Sequence, residues 1–256
     1  MPCRVLKTTP ANLCGEAEVT DFNTGESPTQ TKGAVAHIGW LASRHASLQK
    51  ITLVTSLTAL AGFTDAVGYS ALGHLYLSFM SGNSTHLGMS LAKADWSEVL
   101  FAGSIVAMFV AGSALGTMIG DRATHSLASL ILGSELLIVI FALVLLSIAD
   151  ETMALIPVAA AMGMQNVLHQ VISGADLGKG FVTGNLFALG QSLARLNKDG
   201  EKARSAMENA ISWCSFIAGV CLGTLIFAGF GLTPALGILA MGLVILIIAV
   251  RMGRVR

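Results

Sequence analysis

The chain has 256 residues, of which 54% are hydrophobic and only 12% charged, with a formal net charge of zero and a mean hydropathy of +0.72. Soluble domains carry about 25% charged residues, so the composition excludes an ordinary soluble globular domain and points to a polytopic membrane protein. Zero net charge excludes a global basic field, and with it nucleic acid as an expected partner.

The first 47 residues, rich in Thr, Gly, Pro, Asn and Glu, carry no apolar period and no run of 7–15 apolar residues. They read as a disordered cytoplasmic tail rather than a secretory signal. A transmembrane domain follows over 48–253. Six stretches are apolar over the roughly 20 residues that a helix needs to cross a bilayer core: about 51–71, 99–120, 127–149, 152–174, 208–229 and 232–251. Two further stretches, 75–92 and 180–194, are shorter or more polar, and each contains a polar knot, FMSGNSTHLG at 79–88 and FVTGNLFALG at 181–190.

The knots belong to a longer internal repeat. Asn83 and Asn185 are 102 residues apart, as are Gly88 and Gly190 and the two SLA triplets at 90–92 and 192–194. Gly62 matches Gly163 at a spacing of 101, which sets Asp65 against Asn166, and AGSALGT at 111–117 matches AGVCLGT at 218–224. Blocks that keep their order and nearly keep their spacing predict two fused copies of one unit, about 50–149 and 152–251. The fold class expected is all-α, with about six full transmembrane helices plus two short broken or re-entrant helical segments.

Each copy contains G-x-x-x-G, Gly112 with Gly116 and Gly219 with Gly223, a spacing that lets helix backbones approach closely. In the first knot Ser81 to His86 form six consecutive non-apolar residues. Such a run facing lipid would leave polar groups unpaired, so it must face protein or water. The reading is a helix broken at Gly82–Asn83, beside a polar midplane site for a solute or ion. Asp65 is the only carboxylate deep within the first span. With no cationic partner in the apolar stretches, it is expected to meet an amide (Asn83, Asn166, Gln165 or Asn185), a hydroxyl, water, a cation or its own proton. The candidate binding set is therefore Asp65, Asn83, Ser84, His86, Asn166, Thr183 and Asn185. The competing reading makes these residues a buried polar network that only fixes helix packing.

Cys3, Cys14, Cys214 and Cys221 show no metal or disulfide spacing, and no two histidines stand four apart. No metal and no cofactor is expected. No nucleophile motif, phosphate loop or dinucleotide fingerprint occurs, so an enzyme is not expected. An intramembrane enzyme with Asp65 and His86 as acid and base is the weakest alternative, and a non-transporting scaffold or sensor is the stronger one.

GFTDAVGYSALGHLYLSFMSGNSTHLGMSLA resembles the signature of the YoaK-like family, bacterial inner-membrane proteins assigned to a domain of unknown function. GMQNVLHQ followed by FVTGNLFALGQSLA resembles that family's second block. The resemblance covers about 50–250 and implies a membrane protein of about six helices with no established substrate. Two places depart from the family pattern: His169 and Gln170 stand where a basic residue is usual, and Lys179 and Gly180 where hydroxyls are.

Charge placement allows two topologies. If the knotted segments re-enter, the copies are inverted, and Arg44, Lys50, Arg122, Lys179, Arg195, Lys198, Lys202, Arg204, Arg251, Arg254 and Arg256 face the cytoplasm, with only Lys93 outside. If they cross, the copies are parallel, Arg122 and Lys179 fall outside and Lys93 moves inside. Both place the termini in the cytoplasm, and the polarity of the knots favours re-entry or a discontinuous crossing. The expected function is a small-solute secondary transporter or channel-like carrier of the inner membrane, moving a small solute with a proton or cation.

Overall fold

A computed structural model describes residues 28–123, 127–173, 182–195 and 200–253. Among these residues the regular structure is entirely helical: α1 Pro28–Ala71, α2 Met80–Ala92, α3 Trp96–Arg122, α4 Leu127–Leu146, α5 Glu151–Ser173, α6 Val182–Leu193, α7 Gly200–Phe230 and α8 Leu232–Arg251. Residues 1–27 of the expected tail lie outside the described residues. Residues 28–47, expected to be disordered, are part of α1. Residues 43–256 form one compact unit, within which all the packing below occurs.

Among the described residues, five spans are long and apolar enough to cross a membrane: Gln49–Ala71, Trp96–Arg122, Leu127–Leu146, Ala203–Phe230 and Leu232–Arg251. The sixth expected stretch is α5, whose 23 residues give it the length. Its apolar content is lower because it lies inside the bundle: Ala154, Leu155, Val158, Ala159, Ala161, Met162 and Leu168 are all buried. A helix shielded by protein needs no lipid-compatible surface. The protein is thus an all-α polytopic membrane protein. The two knotted segments become α2 and α6, of 13 and 12 residues. At 1.5 Å per residue α2 is about 20 Å long, short of a hydrocarbon core about 30 Å thick, and α6 spans about 18 Å over its described residues.

The helix ends are written locally. Gly73 and His74 adopt φ of +63° and +83°, which stops α1; the left-handed region suits glycine but is uncommon for histidine. Asp95 caps α3 by accepting the Glu98 N–H at 3.3 Å, and Asp150 accepts the Met153 N–H at 2.8 Å at the start of α5. Gly231, at φ +80°, is the single residue between α7 and α8.

Close helix crossings hold the bundle together. A methyl group added at Gly112 would land on the Ala160 carbonyl, and one at Gly163 on the Phe109 carbonyl, so α3 and α5 touch backbone to backbone. The α1–α7 crossing repeats this pattern. A methyl at Gly219 would land on the Ala59 carbonyl, and one at Gly62 on the Phe216 carbonyl. Gly116 approaches Met164, and Gly223 approaches Phe63. The G-x-x-x-G pairs therefore serve packing between helices of this chain.

Candidate functional site

The site is built on the irregular segment 72–79, between α1 and α2. Asp65 lies two turns before the end of α1 and is buried at 3% exposure. Its Oδ1 accepts the backbone N–H groups of Leu77 at 2.9 Å, Ser78 at 2.6 Å and, more weakly, Phe79 at 3.4 Å. Its Oδ2 accepts the Ser78 hydroxyl at 2.7 Å. Three successive backbone N–H groups form a concave nest for an anion, and here the anion is the protein's own carboxylate. The amides nominated from the sequence as partners of Asp65 are not its partners. Backbone donors of the loop and a hydroxyl, one of the expected partner types, take that place, because the chain reverses over the end of α1 and turns its N–H groups and the Ser78 hydroxyl inward.

Asn83 holds the same loop from the other side. Its Oδ1 accepts the Tyr76 N–H at 2.8 Å, and its Nδ2 donates to the Tyr76 carbonyl at 2.6 Å. The side-chain amide thereby replaces a peptide partner and satisfies both main-chain groups of Tyr76. Asn83 is fully buried. The helix break expected at Gly82–Asn83 thus lies upstream, at 72–79, and the knot itself is helical. Ser84 and Thr85 are exposed, and their hydroxyls donate to the Met80 and Ser81 carbonyls at 2.8 and 3.0 Å. His86 is half-buried and faces Glu98 of α3 at 3.2 Å. Around the loop, the Tyr69, His74, Tyr76 and Phe79 rings are in contact, with centroids 4.9–5.2 Å apart.

The second knotted segment is arranged differently. Asn185 is buried on α6, and its Nδ2 donates to the Ser212 hydroxyl of α7 at 2.9 Å. Thr183 is exposed near the start of α6, and Asn166 is half-buried on α5. Residues 174–181, which would correspond to the first loop, lie outside the described residues. At the α1–α5 crossing, Gln165 donates to the Leu57 carbonyl at 3.4 Å, and His169 Nε2 is 3.1 Å from the Thr58 hydroxyl. His169 Nδ1 is buried with no hydrogen-bond partner among the described residues. The structure therefore joins Asp65 and Asn83 through one loop, and places Asn185, Asn166 and Thr183 in the other half.

One residue escaped the sequence reading. Glu135 is fully buried in α4, and neither carboxylate oxygen has a hydrogen-bond partner among the described residues. Its signal was a lone carboxylate in ILGSELLIVIF, a run that otherwise reads only as membrane-spanning.

The model of a family described as "Protein of unknown function (DUF1275)" matches residues 53–249. Among curated proteins, the chain is 29% identical over 186 residues to the UPF0700 transmembrane protein RA0705 of Rhizobium meliloti (strain 1021), covering 73% of this chain and 80% of that protein. It is 23% identical over 190 residues to the UPF0700 transmembrane protein YoaK of Bacillus subtilis (strain 168), covering 72% and 84%. No solved structure matches.

Proposed function

The chain belongs to the DUF1275 family of proteins of unknown function, and from that premise we propose that it is a small-solute secondary transporter of the bacterial inner membrane. The observation that carries this reading is the helix α2, too short to cross, with α6 of similar length over its described residues. The first follows an irregular loop whose polar groups are held by Asp65 and Asn83. Non-helical backbone at membrane depth is tolerated where it is buried in protein or lines a water-filled cavity, and carriers place their solute sites at such breaks. The reciprocal crossings support a duplicated unit. Gly62 lies on Phe216 as Gly163 lies on Phe109, and Gly219 lies on Ala59 as Gly112 lies on Ala160. Their sequence spacings are 101 on the first helix of each unit and 107 on the third.

In this proposal Asp65 is a latch. As a carboxylate it closes the loop over the end of α1; on taking up a proton or cation it gives up part of its claim on the loop donors. Ser84, His86, Thr183 and the Asn83 and Asn185 regions flank the solute path, with Asn166 opposite. A pH dye inside proteoliposomes, challenged with a panel of amino acids, polyols and nucleosides, tests the reading. Solute-evoked proton movement lost in Asp65→Asn is the expected outcome. Equal movement in that variant would remove Asp65 from coupling.

The engagement of Asp65 and Asn83 by internal hydrogen bonds favours one second reading, a non-transporting scaffold or sensor. Deleting residues 1–47 would abolish its cellular phenotype, whereas transport would survive that deletion.

A further inference from the structure

We infer that Glu135 is an exchangeable proton-binding acid in the middle of the membrane. Its place follows from the helix. Residue 135 is eight residues from the start of α4 and eleven from its end, so it lies about 12 Å and about 16 Å from the two ends of a span about 30 Å long. It sits on the buried stripe of that helix, with Ile131, Leu132, Val139 and Ala142.

The sister helix shows what packing alone would ask for. The buried stripe of α8 is Ala235, Leu236, Leu239, Leu243 and Leu246. It matches the α4 stripe position by position at a spacing of 104, a register that also aligns Gly133 with Gly237. Glu135 stands where α8 carries Leu239, which is 1% exposed. Leucine satisfies that position in one half, so packing gives no reason for a carboxyl group in the other.

The ligand class follows from the surroundings. An ionised carboxylate buried without a donor is strongly unfavourable. The elements packed on α4 carry Glu151 and His169 on α5, Arg251 on α8, and Glu98, Asp121 and Arg122 on α3. None of these is a hydrogen-bond partner of Glu135. A metal cation would need several oxygen ligands to replace its water, whereas a proton needs one oxygen. The charge is therefore met by a proton, bound on one carboxylate oxygen and exchangeable with water. That Glu135 hands this proton to a transport cycle rests on the carrier reading; that it binds and exchanges one does not.

Infrared spectroscopy of the full chain in lipid nanodiscs tests this at neutral pH. The expected spectrum contains a protonated-carboxyl C=O band that is missing in Glu135→Gln, kept in Asp65→Asn, and shifted when the protein is moved into D2O. Glu135→Leu, which carries the residue of the sister helix, provides a second null if the glutamine variant does not fold. Spectra in which wild type and both variants coincide in this region would overturn the inference, because the group would be ionised. A band that never shifts in D2O would also overturn it, because the acid would be sealed and structural. Failure of the carrier reading would appear elsewhere, as absence of solute-evoked proton movement with the band intact.

Discussion

Removing the Asp65 carboxylate should unlock the loop, and the cost can be worked from its bonds. Two backbone N–H donors, at 2.6 and 2.9 Å, and the Ser78 hydroxyl at 2.7 Å make good hydrogen bonds; the Phe79 N–H at 3.4 Å is marginal. Asp65→Ala leaves these donors without an acceptor, at about 1–3 kcal/mol each before the loop relaxes. A net loss of about 3–5 kcal/mol is expected, equivalent to about 10 °C in Tm for a chain of this size. Asp65→Asn keeps an oxygen for the N–H groups, and its amide can donate to the Ser78 hydroxyl. It loses only the charge assistance and should cost about 1 kcal/mol. Thermal unfolding of purified protein in detergent, followed by tryptophan fluorescence, would rank the two. Hydrogen exchange at residues 77–79 should accelerate in the alanine variant alone. Equal Tm losses in both variants, or unchanged exchange at these amides in Asp65→Ala, would refute the nest as the role of this side chain in the folded state.

Asn83→Asp exchanges the amide donor 2.6 Å from the Tyr76 carbonyl for a second acceptor, so it should lower Tm more than Asn83→Ser, and the reverse order would show that the clamp is unimportant. Gly163→Ala drives a methyl into the Phe109 carbonyl, whereas Gly103→Ala meets nothing within 4 Å. Unfolding of the two should differ by about 1–3 kcal/mol against Gly163→Ala, and equal stability would contradict the close α3–α5 crossing. Glu135→Leu removes an unpartnered buried carboxyl, so it should raise stability by about 1–3 kcal/mol; a lowered Tm would mean that the carboxyl has a partner in the membrane.

Much of the bundle was legible in the sequence because membrane spans announce themselves by length and apolarity. Its six long stretches correspond to α1, α3, α4, α5, α7 and α8. The short segments are legible as polar interruptions, but the break lies several residues before the Gly82–Asn83 pair that marks the knot. Serine and threonine in the knot stay helical by bonding back to carbonyls four residues earlier, as Ser84 and Thr85 do. The true break depends on Gly73 and His74 turning left-handed, and histidine does not advertise that conformation. Asp65 stands out as a carboxylate inside a span, yet apart from the Ser78 hydroxyl its partners are not legible, because they are backbone donors that every residue carries. Glu135 obeys the same rule for intramembrane carboxylates, and was hidden by the strength of the apolar run around it. Gln165 and His169 meet α1 only through the crossing of α1 with α5, a contact between residues more than a hundred apart.

Paired cysteine accessibility tests the central claim most directly. After removal of Cys3, Cys14, Cys214 and Cys221, a single cysteine is placed at Ser84 or at Leu186, both on the exposed surface of their short helices, and an impermeant maleimide is applied to cells and to inverted vesicles. A carrier with opposed entrances predicts labelling of the Ser84→Cys variant from outside and of the Leu186→Cys variant from inside. Failure of both sites to react from either side, in protein that is folded and inserted, would contradict it and leave the two short helices as parts of a closed scaffold.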